Sequence, residues 1–503
     1  MEKIKKREKV RIVFPIVGIL FILSSISLSL VNYKNYSKKG CLFPDGSSLA
    51  GVDISGLDAT QALAELRNVY EQPVTIQIGG LFFDLTNEQV GLSIQYDEML
   101  SALNCNQNNK FIDFWSFIWN RNDIQPIHGD LKYSFELQAT KDFIDQNIDP
   151  YVIKAPVEPS LIQGTTRFKG GVPGISYNRD TLLTEIKKQI VNPKKGVIHI
   201  LLEEIPAPSP TVQQIQEQII SNLQKENFQG GVEIFAQKMS DHETINLLYW
   251  FGELKEPGVA YTAASTMKIP IMLSTYWHQD LPLPEIMDTW LNHMIILSEN
   301  DPADRLMEQI DFVRGPLLVT NDVQSLGLNN TFIAGYFYLG APLLNLYETP
   351  ANQRTDVFTD PDIYNQTTAE DIGHLLEMIY ACGNESSSYL YQISQGKLNQ
   401  EKCNLIINTL ARNKMGALIE AGLPEGLKIA HKHGWSSEKD GLIHSFSDVA
   451  IVFAPENDFV LTVFTYSPNQ LLFDVANPLI ARISQIIYNG FNPNNQIAWP
   501  FPE

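Results

Sequence analysis

The chain has 503 residues, 44% hydrophobic and 19% charged, with no long low-complexity tract, which excludes a largely disordered protein and allows two or three cores. The charge is unevenly spread: residues 1–40 hold nine Lys/Arg against two Glu, and residues 41–503 hold 28 Lys/Arg against 55 Asp/Glu, a net −27. So acidic a surface repels phosphate backbones and argues against nucleic-acid binding, while a cationic or neutral glycopeptide partner remains compatible.

Lys3, Lys5, Lys6, Arg7, Lys9 and Arg11 precede an uncharged apolar run, Val13 to Val31, long enough to cross a bilayer as a helix. The charge bias places residues 1–12 in the cytoplasm and everything after about residue 32 outside. A cleaved signal would have a shorter apolar core and a small-residue site; neither is clear, so an uncleaved single-pass anchor is expected. A polar stem (32–50) leads into an α+β region, 51–205. There Asp58 to Tyr70 has helical periodicity and Val74-Thr-Ile-Gln-Ile-Gly-Gly-Leu-Phe-Phe-Asp reads as a hairpin about Gly79-Gly80. Gly91-Leu-Ser-Ile-Gln-Tyr-Asp echoes Gly174-Ile-Ser-Tyr-Asn-Arg-Asp, each reading as a strand entering a helix. With the opening Gly51-Val-Asp-Ile-Ser-Gly-Leu, this region resembles the peptidoglycan-binding domain found beside transpeptidases and in VanW-type proteins. A rigid spacer is the alternative reading.

The Pro-rich joint 206–210 ends that region, and Thr211 is expected to cap a helix through about Lys225. Gly230 to Tyr261 reads as a β-hairpin. Late in the chain, strands at Ile429-Ala-His-Lys, Val449-Ala-Ile-Val-Phe and Phe459-Val-Leu-Thr-Val-Phe precede a helix, Asn477 to Tyr488. Cys41, Cys105, Cys382 and Cys403 lack zinc-type spacing, and no metal or cofactor is expected. Outside the cell Cys382 and Cys403 could pair, closing a loop of about 20 residues worth roughly 3 kcal/mol; free thiols are equally compatible.

Ser265-Thr-Met-Lys268 places a hydroxyl and an amine on one helical face, and a buried Lys beside such a Ser can lose its proton and act as base. S-x-x-K recurs at Ser394/Lys397 and Ser436/Lys439, but only the first follows a hairpin and opens an apolar helix, with Pro270 a mild objection. Downstream stand Ser298-Glu-Asn300 at a helix end and Lys432-His433-Gly434 at a strand end. The order S-x-x-K, S-x-N, K-x-G resembles the class A β-lactamases and penicillin-binding proteins. That resemblance implies, for about 211–503, an antiparallel sheet flanked by helices with a helical subdomain.

Position by position, the resemblance implies that Ser265 attacks an amide or lactam carbonyl, with Lys268 taking its proton. The oxyanion would sit on the backbone N–H groups of Ser265 and Trp435, and Ser298 would pass a proton to the leaving nitrogen. Asn300 would bind the substrate's side-chain amide, Lys432 would supply positive charge, and Gly434 would let the substrate lie along the strand. Singly, these residues read as a helix cap, a surface charge and a turn.

Three departures stand out. His433 replaces the usual hydroxyl residue as a carboxylate donor, so activity is expected to rise at mild acidity; a His431/His433 metal pair is the rival, without a third ligand. The spacing from Ser265 to Ser298 is short. The stretch ahead of Thr367-Thr368-Ala-Glu-Asp lacks a clear E-x-x-L-N, and Glu348 is its one candidate for activating the deacylating water. The reading is therefore a membrane-anchored extracytoplasmic serine hydrolase acting on β-lactams or peptidoglycan stem peptides. A D,D-carboxypeptidase or penicillin-binding protein, and a non-catalytic wall-binding sensor, are its rivals.

Overall fold

The computed structural model describes residues 2–39, 42–101, 114–115, 118–119 and 125–498, in two compact units. Cys41 and Cys105 lie outside the described residues. The first unit comprises Met1–Pro156 and Pro173–Pro206, and the second takes in Val157–Val172 with Ala207–Glu503.

In the first unit the helix Glu2–Lys39 contains one segment, Pro15–Tyr36, long and apolar enough to cross a membrane. The Asp58 carboxylate caps the helix Ala59–Tyr70 in a reciprocal box with Gln61, which satisfies two end amides. Gly79 and Gly80 both have positive φ and join Val74–Ile78 to Leu81–Leu85, the two-glycine turn that matches the twist of paired strands. Each echoed segment is a strand entering a helix: Leu92–Ile94 into Tyr96–Leu100, and Gly174–Tyr177 into Arg179–Ile190.

The second unit is built on a six-stranded antiparallel sheet in the spatial order 253–255, 244–250, 231–238, 459–466, 445–453 and 428–434. Side chains alternate between its faces. Val232, Ile234, Ala236, Leu461 and Val463 join one core with the helices Val212–Lys225 and Phe473–Phe491. Phe235, Val449, Ile451, Val460 and Phe464 join the other, with Lys268–His278 and Ala369–Asn384. Thr211 caps the first of these helices in a reciprocal box with Gln214, and Thr368 caps the helix Ala369–Asn384. The C-terminal helix starts at Phe473, one turn ahead of the expected Asn477, and carries Pro478 inside it. Cys382 and Cys403 form a disulfide between the helices Ala369–Asn384 and Gln400–Leu410, with Cα atoms 5.8 Å apart.

The strand Lys428–Gly434 is an edge of this sheet. Along it Ala430 lies in the helical-side core and Ile429 in the opposite one, so alternation puts Lys432 and Gly434 on the first face and His431 and His433 on the second.

Candidate active site

Ser265 sits in the short 3-10 turn Ala264–Met267, which runs directly into the α-helix Lys268–His278. Pro270 falls in the first turn of that α-helix, the part of a helix that tolerates proline, so it produces no break. Ala264 takes a left-handed backbone (φ 47°), a sharp bend just before the hydroxyl. The approach to this bend is fixed from below. Glu233, fully buried on the central strand Gly231–Lys238, accepts hydrogen bonds from the amides of Gly258 (2.7 Å) and Val259 (3.0 Å). The chain then pairs through Tyr261–Thr262 with Asn365–Thr367.

Lys268 Nζ is the hub. It lies 3.0 Å from Ser265 Oγ, donates to the Ser298 carbonyl (2.6 Å) and to Asn300 Oδ1 (2.9 Å), and stands 3.4 Å from Ser298 Oγ. Lys432 Nζ donates to the same Ser298 Oγ at 2.9 Å. Ser298 ends a π-turn in the left-handed region (φ 58°), which turns both its carbonyl and its hydroxyl toward Lys268. Gly434 packs against the Ser265 turn: a Cβ there would come within 2.9 Å of the Ala263 carbonyl and 3.1 Å of Thr266 Cγ2. Five residues from three segments of the chain, Ser265 with Lys268, Ser298 with Asn300, and Lys432, thus share one hydrogen-bonded cluster. The Ser265 amide lies in the first turn of its helical segment, where backbone N–H groups have no intrahelical acceptor.

Both lysines are fully buried, and among the described residues neither contacts a carboxylate directly. Burial drives Lys268 down to about 8, with Asp304 and Glu299 pulling the other way. Burial and the neighbouring Lys268 drive Lys432 down to about 7. An amine in this range can take a proton from a serine hydroxyl near neutral pH, which an ordinary lysine cannot.

His433 departs from its expected role. It faces away from Lys432 and stacks on Trp435, with ring centroids 4.8 Å apart, and its Nδ1 is buried without a partner among the described residues. Burial first, and the Lys432 charge second, push it down to about 3, so the expected gain of charge at mild acidity does not occur. On the same face His431 has its ring nitrogens engaged by the buried Asp448 carboxylate and the Asn413 carbonyl. Glu348 is exposed and is not among the groups that hydrogen-bond to or charge-couple with Lys268. The carboxylates that do act on Lys268 were not picked out from sequence. Asp304, one helical turn beyond Asn300, is buried and accepts from the amides of Phe337 (2.7 Å) and Tyr338 (2.9 Å). Its i+4 spacing from Asn300 was the available signal.

A part-exposed serine hydroxyl, a lysine whose burial favours its neutral form and a second Ser–Lys pair in one cluster are groups that can carry out nucleophilic acyl chemistry. Residues 287–491 match the model of the β-lactamase enzyme family, a span that takes in Ser298, Asn300 and Lys432–Gly434 but begins after Ser265. The C-terminal half of the chain therefore carries a domain of that family. A β-lactamase of Bacillus licheniformis is 31% identical over 103 residues, 20% of this chain and 32% of that protein, so the match spans about a third of the curated relative's length. Among solved structures, a class A β-lactamase from Bacteroides cellulosilyticus aligns at 19% identity and a TM-score of 0.40, over 56% of this chain and 99% of that one. A class A β-lactamase from Mycobacterium abscessus aligns at 17% identity and a TM-score of 0.39, over 54% and 98%.

Proposed function

We propose that the second unit is an acyl-transferring serine hydrolase of the β-lactamase type, acting on a β-lactam or a peptidoglycan stem-peptide amide. The observation that carries this reading is the placement of Lys268 Nζ, 3.0 Å from Ser265 Oγ and bonded to Ser298 and Asn300. In the proposed reaction Ser265 Oγ bonds to the carbonyl carbon while its proton passes to neutral Lys268. The oxyanion is held by the Ser265 and Trp435 amides until the C–N bond breaks. The leaving nitrogen takes the Ser298 hydroxyl proton, which Lys432 replaces, and water later cleaves the Ser265 ester. Lys432 also supplies charge for a substrate carboxylate, and Asn300 a contact to the substrate's amide. We further read the apolar helix as a single-pass anchor, the second unit as extracytoplasmic, and the first unit beyond the stem, residues 51–156 and 173–205, as a wall-binding or spacer region; the Cys382–Cys403 disulfide supports an oxidising location.

The test is to incubate the full chain in detergent with a chromogenic cephalosporin and a fluorescent penicillin, beside Ser265→Ala, and to weigh the intact protein. Adduct on the native chain and none on the variant is expected. Equal colour release by both chains removes Ser265 from the mechanism, and absence of any adduct favours the non-catalytic sensor. A second reading, a D,D-peptidase with slow release, draws support from Glu348, which is not among Lys268's partners. An adduct persisting for many minutes, unchanged in Glu348→Gln, would favour it.

A further inference from the structure

Behind Lys432, on the opposite face of the edge strand Lys428–Gly434, stands a fully buried pair that the acyl chemistry does not touch. His431 Nδ1 lies 3.1 and 3.2 Å from the two Asp448 carboxylate oxygens, and its Nε2 lies 3.0 Å from the Asn413 carbonyl. A carbonyl can only accept, so Nε2 carries a proton. Asp448 is already an acceptor, taking the amides of Ile419 (3.1 Å) and Val449 (3.1 Å), so Nδ1 carries one as well. A ring that donates from both nitrogens is an imidazolium, and with Asp448 the pair is neutral as a whole.

Glu420, on the short 3-10 turn Glu420–Gly422, stands 3.8 Å from Nε2, but it accepts from the amides of Met415 (2.9 Å) and Gly416 (2.7 Å) and has Lys414 at 3.5 Å. Lys432 and His433 follow on the ring's own strand, and the C-terminal helix presents neutral Asn477 and Ser484 to the same loop. Burial opposes a charge on His431, while the Asp448 charge, the hydrogen bond to it and Glu420 outweigh burial and hold the imidazole above its ordinary value.

The pair joins two parts of the site. The Asn413 side chain donates back to the His431 carbonyl (3.1 Å), and Arg412 donates to Asn292 (2.8 Å), the last residue of the helix that leads into the Ser298 turn. Residues 412–413 thus hold both the segment carrying Ser298 and the strand carrying Lys432, whose side chains meet at 2.9 Å. Burial and Lys268 lower Lys432 while Asp448 pulls the other way, so a carboxylate left unbalanced there would make the ammonium keep its proton.

We propose that His431 and Asp448 are positioning residues for Lys432: as a proton-bearing pair they pin residues 413–419 to the strand, and their joint neutrality lets Lys432 give its proton to Ser298. The inference rests on the acyl-transfer reading and adds to it the groups that govern when Lys432 releases that proton.

The first test takes the full chain in detergent, its histidines labelled with nitrogen-15, and records the ring nitrogens by NMR at pH 7 and 8. The signal missing from His431→Gln belongs to His431 and is expected to show both nitrogens protonated at both pH values; a neutral ring at pH 7 would overturn the proposal. Should that variant not fold, Asp448→Asn assigns the same signal by turning it neutral. The second test is the rate of acylation by a fluorescent penicillin from pH 6 to 9. His431→Gln leaves Asp448 unbalanced, so the decline set by Lys432 should move up by about one pH unit. Asp448→Asn and the double variant stay neutral and should keep the native decline, while all three lose the clamp and slow about tenfold. Slower rates with an unmoved decline in His431→Gln would mean a merely structural pair and overturn the proposal. An adduct forming on the native chain with no decline up to pH 9 would do the same and leave the acyl-transfer reading standing. No adduct on the native chain at any pH would overturn that reading, and the proposal with it.

Discussion

Replacing Lys268 by methionine keeps the length of the side chain and removes the amine, and its effects on fold and on chemistry should separate. Native Lys268 is pushed from 10.5 to about 8, so holding its ammonium in the interior costs about 3 kcal/mol at neutral pH. Methionine relieves that cost, but it strips the donor from the part-buried Ser298 carbonyl, at about 1–3 kcal/mol, and from Asn300 Oδ1, on an exposed side chain that water can satisfy. The net lies within about 2 kcal/mol of zero, so the midpoint of thermal unfolding should move by no more than about 8 °C. The chemistry has no such offset. Loss of a positioned base lowers the acylation rate by about 10²–10⁴, or about 3–5 kcal/mol of barrier. The assay is the rate of adduct formation with a fluorescent penicillin from pH 6 to 9. The native rate should rise from pH 6 as Lys268 moves toward its unprotonated form around 8, the form that accepts the serine's proton, and level or fall higher in the range as Lys432, at about 7, loses the proton it passes to Ser298. The variant should lack the rising limb and keep only the decline set by Lys432. A variant acylated within threefold of native, or one retaining the rising limb, would refute the assignment of Lys268 as base.

Three further outcomes are expected. His433→Gln should leave the pH profile between 5 and 7 unchanged, since the native imidazole is already neutral there; loss of an ionisation near pH 6.5 in the variant would contradict this. Gly434→Ala would set a Cβ 2.9 Å from the Ala263 carbonyl and 3.0 Å from Ser447 Oγ, pushing the edge strand from the Ser265 turn by tenths of an ångström. Acylation should then fall by about tenfold or more, as misplaced reacting groups do, and an unchanged rate would count against the close approach. Cys382→Ser/Cys403→Ser opens a loop with a sequence separation of 21 and should lower stability by about 3 kcal/mol, or about 6–12 °C in the unfolding midpoint, read by calorimetry without reductant.

Much of the local structure was legible in the residues themselves. Asp58 and Thr211 cap helices because short polar side chains reach end amides, and Gly79-Gly80 turns because glycine tolerates positive φ. The order of the three motifs singled out Ser265, Lys268, Ser298, Asn300 and Lys432, which the fold gathers into one hydrogen-bonded cluster. Period-2 alternation also placed His431 and His433 together on one strand face.

What the chain order leaves open is environment. Whether His433 titrates near neutrality depends on its burial and on the Lys432 charge behind it, and neither can be read from a histidine within a K-x-G pattern. The pairing of Cys382 with Cys403 depended on two helices lying side by side, and the lowered lysines on a cavity assembled from segments more than a hundred residues apart. Glu233 and Asp304 were passed over because a carboxylate acquires a positioning role only when remote backbone amides converge on it. Sequence alone determined which groups are available and which way each points along its own helix or strand, since those are properties of neighbouring residues. Tertiary packing decided which groups meet, how far each is withdrawn from water and hence which protons they hold, because desolvation and charge coupling act through space rather than along the chain.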